Sequence, residues 1–394
     1  MPEPQTVLVA GAGIGGLTAA LALAARGFEV RVLEQAERLE ATGAGIQLSP
    51  NAARILIALG LGGALAACAV APEALAIGSG RSGEVLARLP LGAHAAARYG
   101  APYWVVHRAD LQQALYEAAV RHPAIAIRLG TRVDDYAADG IGVTATAVTA
   151  NGRHEERARV LIGADGLWSR IGRRFGPPQF SRRSAWRAVV PADAVAPDLR
   201  RPETRLWLGP DAHFVHYPLR GGDEINLVAI VTDDWAEPGW NVPGGREELL
   251  PHYARWAGEL RRLLQIPDRW QKWALFDRAP VPGPWGEGPV TLLGDAAHPM
   301  LPLIAQGGAM AIEDAAVLAD RLASQRGDPA AACRSYEALR HARTARVQRE
   351  ARENARIYHL RGPAAFARDL ALRALGGPRL LDRYDWLYGW RPPG

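Results

Sequence analysis

The first third of the chain alternates short apolar runs with longer segments of helical periodicity. Residues 6–9 form an apolar run typical of a buried strand, and residues 17–26 form an Ala/Leu-rich helix that ends at Gly27. A second strand is predicted at residues 29–33. The same kind of pattern returns between residues 101 and 166, which favours an α/β fold.

That second α/β region contains a helix from the 107–111 segment to Arg121, and short strands at residues 126–129, near Val133, Val143 and Val148, and at residues 160–162. An Asn151-Gly152 pair among these strands predicts a hairpin turn.

The middle of the chain follows a different pattern, because strand-type runs succeed one another without an intervening helix. These strands are predicted at residues 184–190, 204–208, 212–218 and 224–231, with glycine-containing turns at residues 209–211 and 221–223. They indicate an antiparallel sheet. Helical segments are then predicted at residues 246–264, a strand at 290–293, a helix from Gly307-Gly308 past Ile312, and a long helix from Asp328-Pro329 to about residue 360.

The predicted fold class is therefore α/β, with a Rossmann-like nucleotide-binding domain, an inserted antiparallel-sheet domain for a substrate, and a C-terminal helical region. The nucleotide-binding domain is discontinuous, and its predicted segments are residues 1–70, 101–178 and 276–325. The sheet domain takes residues 71–100 and 179–275, and the C-terminal helices take residues 326–394.

Composition narrows the class of protein. The chain has 394 residues, 48% hydrophobic and 22% charged, as in an ordinary globular protein. The longest apolar run, residues 11–25, is shorter than the roughly 20 residues that span a bilayer, and no basic segment precedes it as in a signal peptide. Two separated cysteines, Cys68 and Cys333, indicate a reducing compartment and no metal site. We expect a cytoplasmic protein.

A net charge of +5 is compatible with nucleic-acid binding, but the distribution of charge argues against it. Arginines are spread along the whole chain, and Lys272 is the only lysine. The densest basic run, residues 340–356, lies in a predicted helix that also carries Glu350 and Glu353, so we expect a solvated helix face.

A glycine-rich loop at residues 11–16, Gly-Ala-Gly-Ile-Gly-Gly, follows the first strand and opens the first helix. In this context Gly11 allows the tight turn, Gly13 lets the backbone approach a pyrophosphate, and Gly16 lets the helix pack on the strand. Glu34 ends the second strand at the distance where an acid accepts hydrogen bonds from a ribose. Gly15 and Gln35 complete this predicted dinucleotide site.

A second stretch, residues 78–83, also matches the bare glycine pattern. The segment after it is too short for a crossover helix and is closed by Pro90, so it is predicted to be a hairpin turn. We therefore expect one dinucleotide site.

A second anion site is predicted between residues 294 and 314. A strand ends in a Gly294-Asp295 turn, and Pro299 and Pro302 keep the following loop from being helical. The helix that begins at Gly307-Gly308 offers unpaired N–H groups and a positive dipole end to a ligand.

Four motifs in this order resemble the flavoprotein aromatic hydroxylases, which are single-component FAD-dependent monooxygenases. They are residues 11–16 with Glu34, the segment 107–111, Gly163-Ala164-Asp165-Gly166, and residues 294–299 with Ala311-Ile312-Glu313-Asp314. The chain is most similar to the branch with salicylate hydroxylase, 3-hydroxybenzoate 6-hydroxylase and 6-hydroxynicotinate 3-monooxygenase.

The resemblance implies a tightly bound FAD and a transient NADH or NADPH. In it Arg108 contacts the FAD phosphates or ribose, Asp165 serves FAD and the passing nicotinamide, and Asp295 binds the ribityl or pyrophosphate portion. Gly307 and Gly308 would point the helix at the flavin. A capping acid is the alternative for Asp295, and a structural ion pair is the alternative for Arg108.

The implied reaction uses NAD(P)H and O₂ to hydroxylate a phenolic or N-heteroaromatic carboxylic acid through a flavin hydroperoxide. Such a ring is activated by removal of its hydroxyl proton, so a base is needed. Alternation along residues 212–218 puts His213 and Tyr217 on one face of a strand, and the resemblance places that face over the flavin. We predict His213 as the base and Tyr217 as the group that orients the ring; a polar residue on a solvent face is the alternative for His213.

Three further residues are predicted to bind the substrate. Gln47 and Gln306 would hydrogen-bond it near the flavin, and Arg187 would hold its carboxylate, with a sheet-edge ion pair as the alternative. His216 and His298 are predicted to be structural.

Two other functions stay open at this point. One is a different FAD-dependent oxidoreductase on the same fold, such as an epoxidase, halogenase or reductase, although Lys272 lacks the context of a catalytic lysine. The other is a flavin-binding module without turnover, in which four tryptophans form a partner surface: Trp186, Trp207, Trp235 and Trp240. We expect core or pocket packing for these rings, no nucleic-acid partner and no membrane segment; a homodimer is one allowed assembly.

Overall fold

The computed structural model describes residues 6–39, 45–239 and 242–393. In chain order its strands are β1 (Thr6–Ala10), β2 (Glu29–Leu33), β3 (Gly45–Leu48), β4 (Ala74–Ser79), β5 (Val85–Pro90), β6 (Trp104–His107), β7 (Ile125–Arg128), β8 (Arg132–Ala138), β9 (Val143–Thr149), β10 (Gly152–Ala158), β11 (Val160–Gly163), β12 (Gln179–Pro191), β13 (Glu203–Gly209), β14 (Ala212–Leu219), β15 (Glu224–Thr232), β16 (Val242–Gly245), β17 (Arg269–Asp277) and β18 (Val290–Leu292). Its helices are α1 (Ile14–Ala24), α2 (Pro50–Ala58), α3 (Gly62–Cys68), α4 (Gly92–Tyr99), α5 (Arg108–Arg121), α6 (Arg246–Leu249), α7 (Gly258–Gln265), α8 (Gly307–Ser324), α9 (Pro329–Tyr358), α10 (Gly362–Asp382) and α11 (Asp385–Tyr388).

A parallel sheet with the order β18-β11-β1-β2-β7 carries the glycine-rich loop. Its strands are apolar and buried, and α1 packs between α5 and α8 on the sheet. The strand order reverses at β1, which has β2 on one side and β11 on the other. The loop after β1 therefore opens onto the crevice where such sheets bind ligands. The predicted α/β fold class is confirmed.

A large sheet with the order β16-β17-β12-β15-β14-β13-β4-β5 forms the second layer. Neighbouring strands are antiparallel except for β4 and β13, which run parallel. The glycine pattern at residues 78–83 connects β4 to β5, so its predicted hairpin is confirmed. The domain bounds remain predictions.

Period-two alternation gives the large sheet two different faces. On β14, Phe214 and His216 point to a core that α7 covers, where His216 Nδ1 accepts a hydrogen bond from Trp207 Nε1 at 3.2 Å. The opposite face, with His213 and Tyr217, points towards the parallel sheet. One strand prediction was wrong: Val143 and Val148 lie on the same strand, β9, which pairs with β10 across the predicted Asn-Gly turn.

A buried group of four charged side chains, Glu313, Asp314, Arg340 and Arg343, joins α8 to α9, and we call it the ion cluster. Arg340 Nε donates to Asp314 Oδ1 at 2.7 Å and its Nη1 lies 2.7 Å from Glu313 Oε2. Arg343 donates to Glu313 through Nε and Nη2, both at 2.7 Å. The expectation of a solvated face for residues 340–356 was wrong at Arg340, which is 0% exposed, because the two carboxylates on buried α8 require cations.

Asp314 also ties the ion cluster to the preceding loop. Its Oδ2 accepts from the Gly294 N–H at 3.0 Å and lies 2.6 Å from His298 Nε2. Burial alone would raise the pKa of Asp314, but the charges and hydrogen bonds of His298 and Arg340 outweigh burial and lower that pKa to about 2. His298 thus has the structural place that its loop predicts.

No helix in the described ranges is both long and apolar enough to cross a bilayer.

The ion cluster generates a stability prediction. Replacing Arg340 with methionine leaves two buried carboxylates without their shared cation, so we expect the free energy of unfolding to fall by about 3–5 kcal/mol. The control is Arg356→Met on the same helix, because the Arg356 side chain is 80% exposed and should contribute under about 0.5 kcal/mol. Urea denaturation measures both, and equal losses in the two variants would contradict a dominant role for the cluster.

Candidate functional site

A cavity of about 300 Å³ lies between the loops of the parallel sheet and the open face of the large sheet. Its nucleotide-side wall comes from loop and helix-start residues: Gly13, Ile14, Gly15, Arg108, Asp295, Gly307 and Gly308. Its sheet-side wall includes side chains from β14, β12, β17 and β3: His213, Val215, Tyr217, Arg187, Trp273 and Gln47. Most of the predicted cofactor and substrate residues therefore face one space.

The glycine-rich loop has the local geometry that its sequence predicts. Gly11 has φ +111°, and a Cβ atom there would lie 2.4 Å from the carbonyl oxygen of Ala164. A Cβ at Gly16 would lie 2.0 Å from the carbonyl oxygen of Gly11, whereas a Cβ at Gly13 would meet no atom within 4 Å. Gly11 and Gly16 are thus needed for packing, and Gly13 leaves room for a ligand beside the start of α1.

Glu34 is placed at the end of β2, beside the glycine-rich loop. Its Oε2 accepts from the Ala12 N–H at 2.7 Å, and its Oε1 accepts from the Ala36 N–H at 2.9 Å. The neighbouring Gln35 is exposed. The carboxylate is fixed next to the phosphate-binding turn, and contact of Glu34 and Gln35 with a ribose remains a prediction.

Asp295 and Arg108 both line the cavity, and each is half-buried by its neighbours. Burial raises the pKa of Asp295, an effect that the positive charges of His298 and Arg108 oppose. Burial lowers the pKa of Arg108, and Asp295 opposes that shift. Beside them, Gly307 and Gly308 start α8 after Ala305, whose φ is +52°. The strained residue turns the chain so that the helix N-terminus opens on the cavity.

Asp165, predicted to serve the cofactor, hydrogen-bonds within its own turn, and its contact with FAD or the nicotinamide remains a prediction. Its Oδ1 accepts from Ser169 Oγ at 2.6 Å, and its Oδ2 accepts from the Arg170 N–H at 2.7 Å. The carboxylate is therefore used to close its own turn. That turn places Gly166 and Trp168, rather than Asp165, on the cavity.

Gln306, predicted to bind substrate, does not line the cavity, and its contact with substrate remains a prediction. The side chain is 1% exposed and turns away from the cavity, where Nε2 donates to Ser49 Oγ at 2.9 Å and Oε1 accepts from Asn51 Nδ2 at 3.1 Å. Asn51 in turn donates to Glu313 at 2.7 Å. Gln306 thus connects α2 to the ion cluster through Asn51.

Arg187 lies on β12, which is an inner strand of the large sheet between β15 and β17. Its guanidinium stacks on the Trp273 ring at 3.9 Å from the centroid, and its Nε has no hydrogen-bond partner among the described residues. Burial and the nearby Arg108 lower its pKa to about 9, so it remains a cation at neutral pH. The alternative of a sheet-edge ion pair is excluded for the described part of the chain.

His213 is 1% exposed, which removes the alternative of a polar residue on a solvent face. Its Nδ1 lies 2.8 Å from His359 Nε2. Burial lowers the pKa of His213 well below its ordinary value, and His359 and Arg183 add to the effect. The imidazole is therefore neutral at physiological pH, as a proton acceptor must be.

Tyr217 and Gln47 complete the sheet-side wall. A Cβ at Gly45 would lie 2.4 Å from the Tyr217 ring, so only glycine there leaves the ring its place. Burial raises the pKa of Tyr217, which keeps its hydroxyl protonated. Gln47 Oε1 accepts from the Tyr103 hydroxyl at 2.5 Å.

Sequence reasoning missed His359, Trp273 and Tyr103. His359 follows α9 and supports His213, Trp273 on β17 supports Arg187, and Tyr103 just before β6 supports Gln47. No local motif marks them. The apolar alternation of β17 was the available signal for Trp273.

The features behind the rival functions lie elsewhere in the fold. Lys272 Nζ donates to Glu248 at 2.7 Å and lies over the rings of Trp186 and Trp235, outside the cavity lining. Trp186 and Trp207 are buried in the core, Trp235 is half-buried, and Trp240 lies outside the described residues. The described residues contain no group of three or more His, Cys, Asp or Glu that is placed to hold a metal ion.

Comparisons with known proteins identify the family and the relatives of this chain. Residues 5–351 match the family described as FAD binding domain. The 3-hydroxybenzoate 6-hydroxylase of Polaromonas naphthalenivorans is 38% identical, with 99% of this chain and 97% of that protein covered. The 3-amino-4-hydroxybenzoate 2-monooxygenase PtnB3 of Streptomyces platensis is 41% identical, with 98% and 96% covered. The crystal structure of Klebsiella pneumoniae HpxO complexed with FAD and uric acid superposes with a TM-score of 0.85 at 27% identity, covering 98% of this chain and 96% of that one.

Two glycines of the loop give a paired prediction. In Gly13→Ala the new methyl group meets no protein atom, so we expect the melting temperature of the apoprotein to stay within about 2 °C. It would occupy the approach of the pyrophosphate, and the Kd for FAD should rise at least about tenfold. In Gly16→Ala the methyl group collides with the Gly11 carbonyl, so stability should fall by about 1–3 kcal/mol. Flavin fluorescence quenching and thermal melts separate the two effects, and unchanged FAD affinity in Gly13→Ala would refute the assignment of Gly13.

Proposed function

Because this chain belongs to the FAD binding domain family and is an FAD-dependent monooxygenase, we propose that its substrate is a hydroxylated aromatic carboxylic acid with a single ring. The named relatives act on 3-hydroxybenzoate and on 3-amino-4-hydroxybenzoate. We therefore place a hydroxybenzoate ahead of a hydroxylated N-heteroaromatic acid.

One observation carries this proposal: a half-buried cation, Arg187, and a buried neutral base, His213, line the same cavity from one sheet face. Arg187 is paired with Val228, and Val228 is paired with Val215, two residues from His213. Standard strand spacings place the Cα atoms of Arg187 and His213 about 12 Å apart. Both side chains line the cavity. In the proposal one aromatic ring occupies the space between them, with its carboxylate at Arg187 and its hydroxyl at His213.

In this proposal each sheet-side residue has a separate task. The Arg187 guanidinium binds the substrate carboxylate through charge-assisted hydrogen bonds. His213 Nε2 accepts the proton of the ring hydroxyl, and the resulting phenolate is the electron-rich form of the ring. Tyr217 and Gln47 orient the ring by donating hydrogen bonds from the neutral phenol and from the amide.

FAD fits the opposite wall. Gly13, Arg108, Asp295 and the N-terminus of α8 would hold it, since they combine an open glycine, a cation, a half-buried carboxyl group and the N–H groups of a helix start at one cavity wall. When bound, FAD supplies the redox and oxygen-transfer chemistry with NAD(P)H as its reductant. The chain itself contributes the burial that excludes water from the ring.

A substrate panel tests the proposed class. We expect the FAD-loaded protein to oxidise NAD(P)H faster with a monohydroxybenzoate or aminohydroxybenzoate than with benzoate, and to form a product that carries one more oxygen atom. Mass spectrometry of the product is needed, because a non-substrate effector also raises the oxidation rate. Oxygenated products from hydroxypyridine acids alone, or from none of the acids, would contradict the hydroxybenzoate assignment.

The role of Arg187 is tested with methionine, which keeps the length of the stem. Loss of a charged hydrogen-bond donor costs about 1.5–3 kcal/mol, so the Kd for the hydroxybenzoate should rise about 10- to 150-fold. Binding of the same ring without its carboxylate should not change. Arg182→Met, at an exposed position of the same strand, is the matched control. If both rings lose affinity equally, Arg187 shapes the cavity but does not bind the carboxylate.

The role of His213 is tested with alanine. We expect hydroxylation to slow by about 10²-fold or more, because the phenol loses its proton acceptor, while the Kd for FAD stays within about twofold. The measurements are product formed per NAD(P)H and flavin fluorescence. An unchanged product yield would show that another group takes the hydroxyl proton.

A further inference from the structure

The proposed base His213 has no direct access to water. It is 1% exposed, and the Tyr358 ring packs edge-on against its imidazole at 5.2 Å between centroids. The Tyr253 hydroxyl donates to its backbone carbonyl at 3.0 Å, which fixes this part of β14. A proton accepted on Nε2 must therefore leave through the protein.

The other ring nitrogen of His213 opens such a route. Its Nδ1 lies 2.8 Å from His359 Nε2, and the two rings are 5.1 Å apart between centroids. His359 follows the last turn of α9 and is 8% exposed. Its own Nδ1 lies 3.5 Å from Thr232 Oγ1 at the end of β15, where Thr232 is exposed.

We propose that His213, His359 and Thr232 form a relay that carries the hydroxyl proton of the substrate from the buried cavity to solvent. The relay rests on the proposed function, in which His213 faces that hydroxyl. His359 and Thr232 are positioning and transfer residues here, since neither lines the cavity.

Each step of the relay conserves protons and charge. The ring hydroxyl gives its proton to His213 Nε2 as the His213 Nδ1–H proton moves to His359 Nε2. The His359 Nδ1–H proton then moves to Thr232 Oγ1, whose own proton passes to water. The phenolate oxygen remains beside His213, while Arg187 holds the carboxylate at the other end of the ring, and one proton has reached the solvent. The reverse sequence restores both tautomers when a product oxygen is protonated.

The surrounding charges explain why His213 has to transfer the substrate proton onward and does not retain it. Burial, with the positive field of Arg183, lowers the pKa of His213 and of His359, and Arg368 acts in the same direction on His359. The other titratable groups packed here are Tyr358 and Tyr253, whose pKa values burial raises, so both stay neutral. An imidazolium at either position is therefore unstable. A base that cannot keep a proton has to pass it on.

The test uses the FAD-loaded full chain without NAD(P)H and the probe 5-hydroxy-2-nitrobenzoate, a carboxylated phenol whose phenolate absorbs visible light. A stopped-flow pH jump on the bound probe gives the rate of phenolate formation, and a titration gives its Kd. The variants are His359→Gln, which can still accept the His213 N–H but cannot relay, and Thr232→Val. Thr144→Val, on strand β9 away from the cavity, is the matched control.

We expect His359→Gln to slow phenolate formation by about tenfold or more, with the Kd of the probe within about twofold of wild type. Thr232→Val should slow it less, and Thr144→Val not at all. In His359→Ala, added imidazole should restore part of the rate, which a purely structural role would not permit.

Ionisation at the wild-type rate in both His359→Gln and Thr232→Val overturns the relay. So does a loss of rate in His359→Ala that imidazole does not restore. If the wild-type protein fails to ionise the probe, or if His213→Ala ionises it equally well, His213 is not the base and the proposed function itself is contradicted. If His359→Gln does not fold, Thr232→Val and the imidazole rescue decide the question.

Discussion

The neutralisation of two adjacent buried carboxylates, Glu313 and Asp314, is the constraint on which the cofactor side of this protein depends. Both lie on α8 with no exposed surface. Burying them costs free energy unless cations and hydrogen-bond donors arrive with good geometry. Arg340 and Arg343 come from α9, Asn51 comes from α2, and the Gly294 N–H comes from the loop before α8. Satisfying the carboxylates therefore sets the position of the helix start that faces the cavity.

The two walls of the cavity present different chemical groups to a ligand. The nucleotide-side wall relies on backbone, since glycines at residues 13, 15, 307 and 308 bring N–H groups close to a ligand. The sheet-side wall relies on side chains, because alternate residues of three paired strands project onto one face. A backbone wall suits one invariant cofactor, and a side-chain wall can change with the substrate without altering the fold.

The sequence predicted the features that local chemistry decides. The glycine-rich loop, the hairpin at residues 78–83 and the shared face of His213 and Tyr217 follow from turn geometry and period-two alternation. The sequence could not predict the direction of a polar side chain that has possible hydrogen-bond partners both in the cavity and in the surrounding structure. Gln306 serves the ion cluster and Asp165 serves its own turn, because partners distant in sequence or within the turn satisfy them better than a cavity would. The burial of Arg340 and the contact of His359 with His213 depend equally on residues more than 20 positions away.

The link between Arg343 and the segment around α11 affects the order in which the protein can mature. Arg343 donates to the backbone carbonyls of Trp386 at 2.9 Å and Leu387 at 3.0 Å, and the rings of Trp386 and Trp390 lie over its guanidinium. During synthesis, the glycine-rich loop leaves the ribosome long before these acceptors exist. A cation that neutralises Glu313 is thus itself held by a segment that is synthesised about 70 residues after Glu313. The ion cluster, and with it the helix start that faces the cavity, therefore joins parts of the chain that are made at different times.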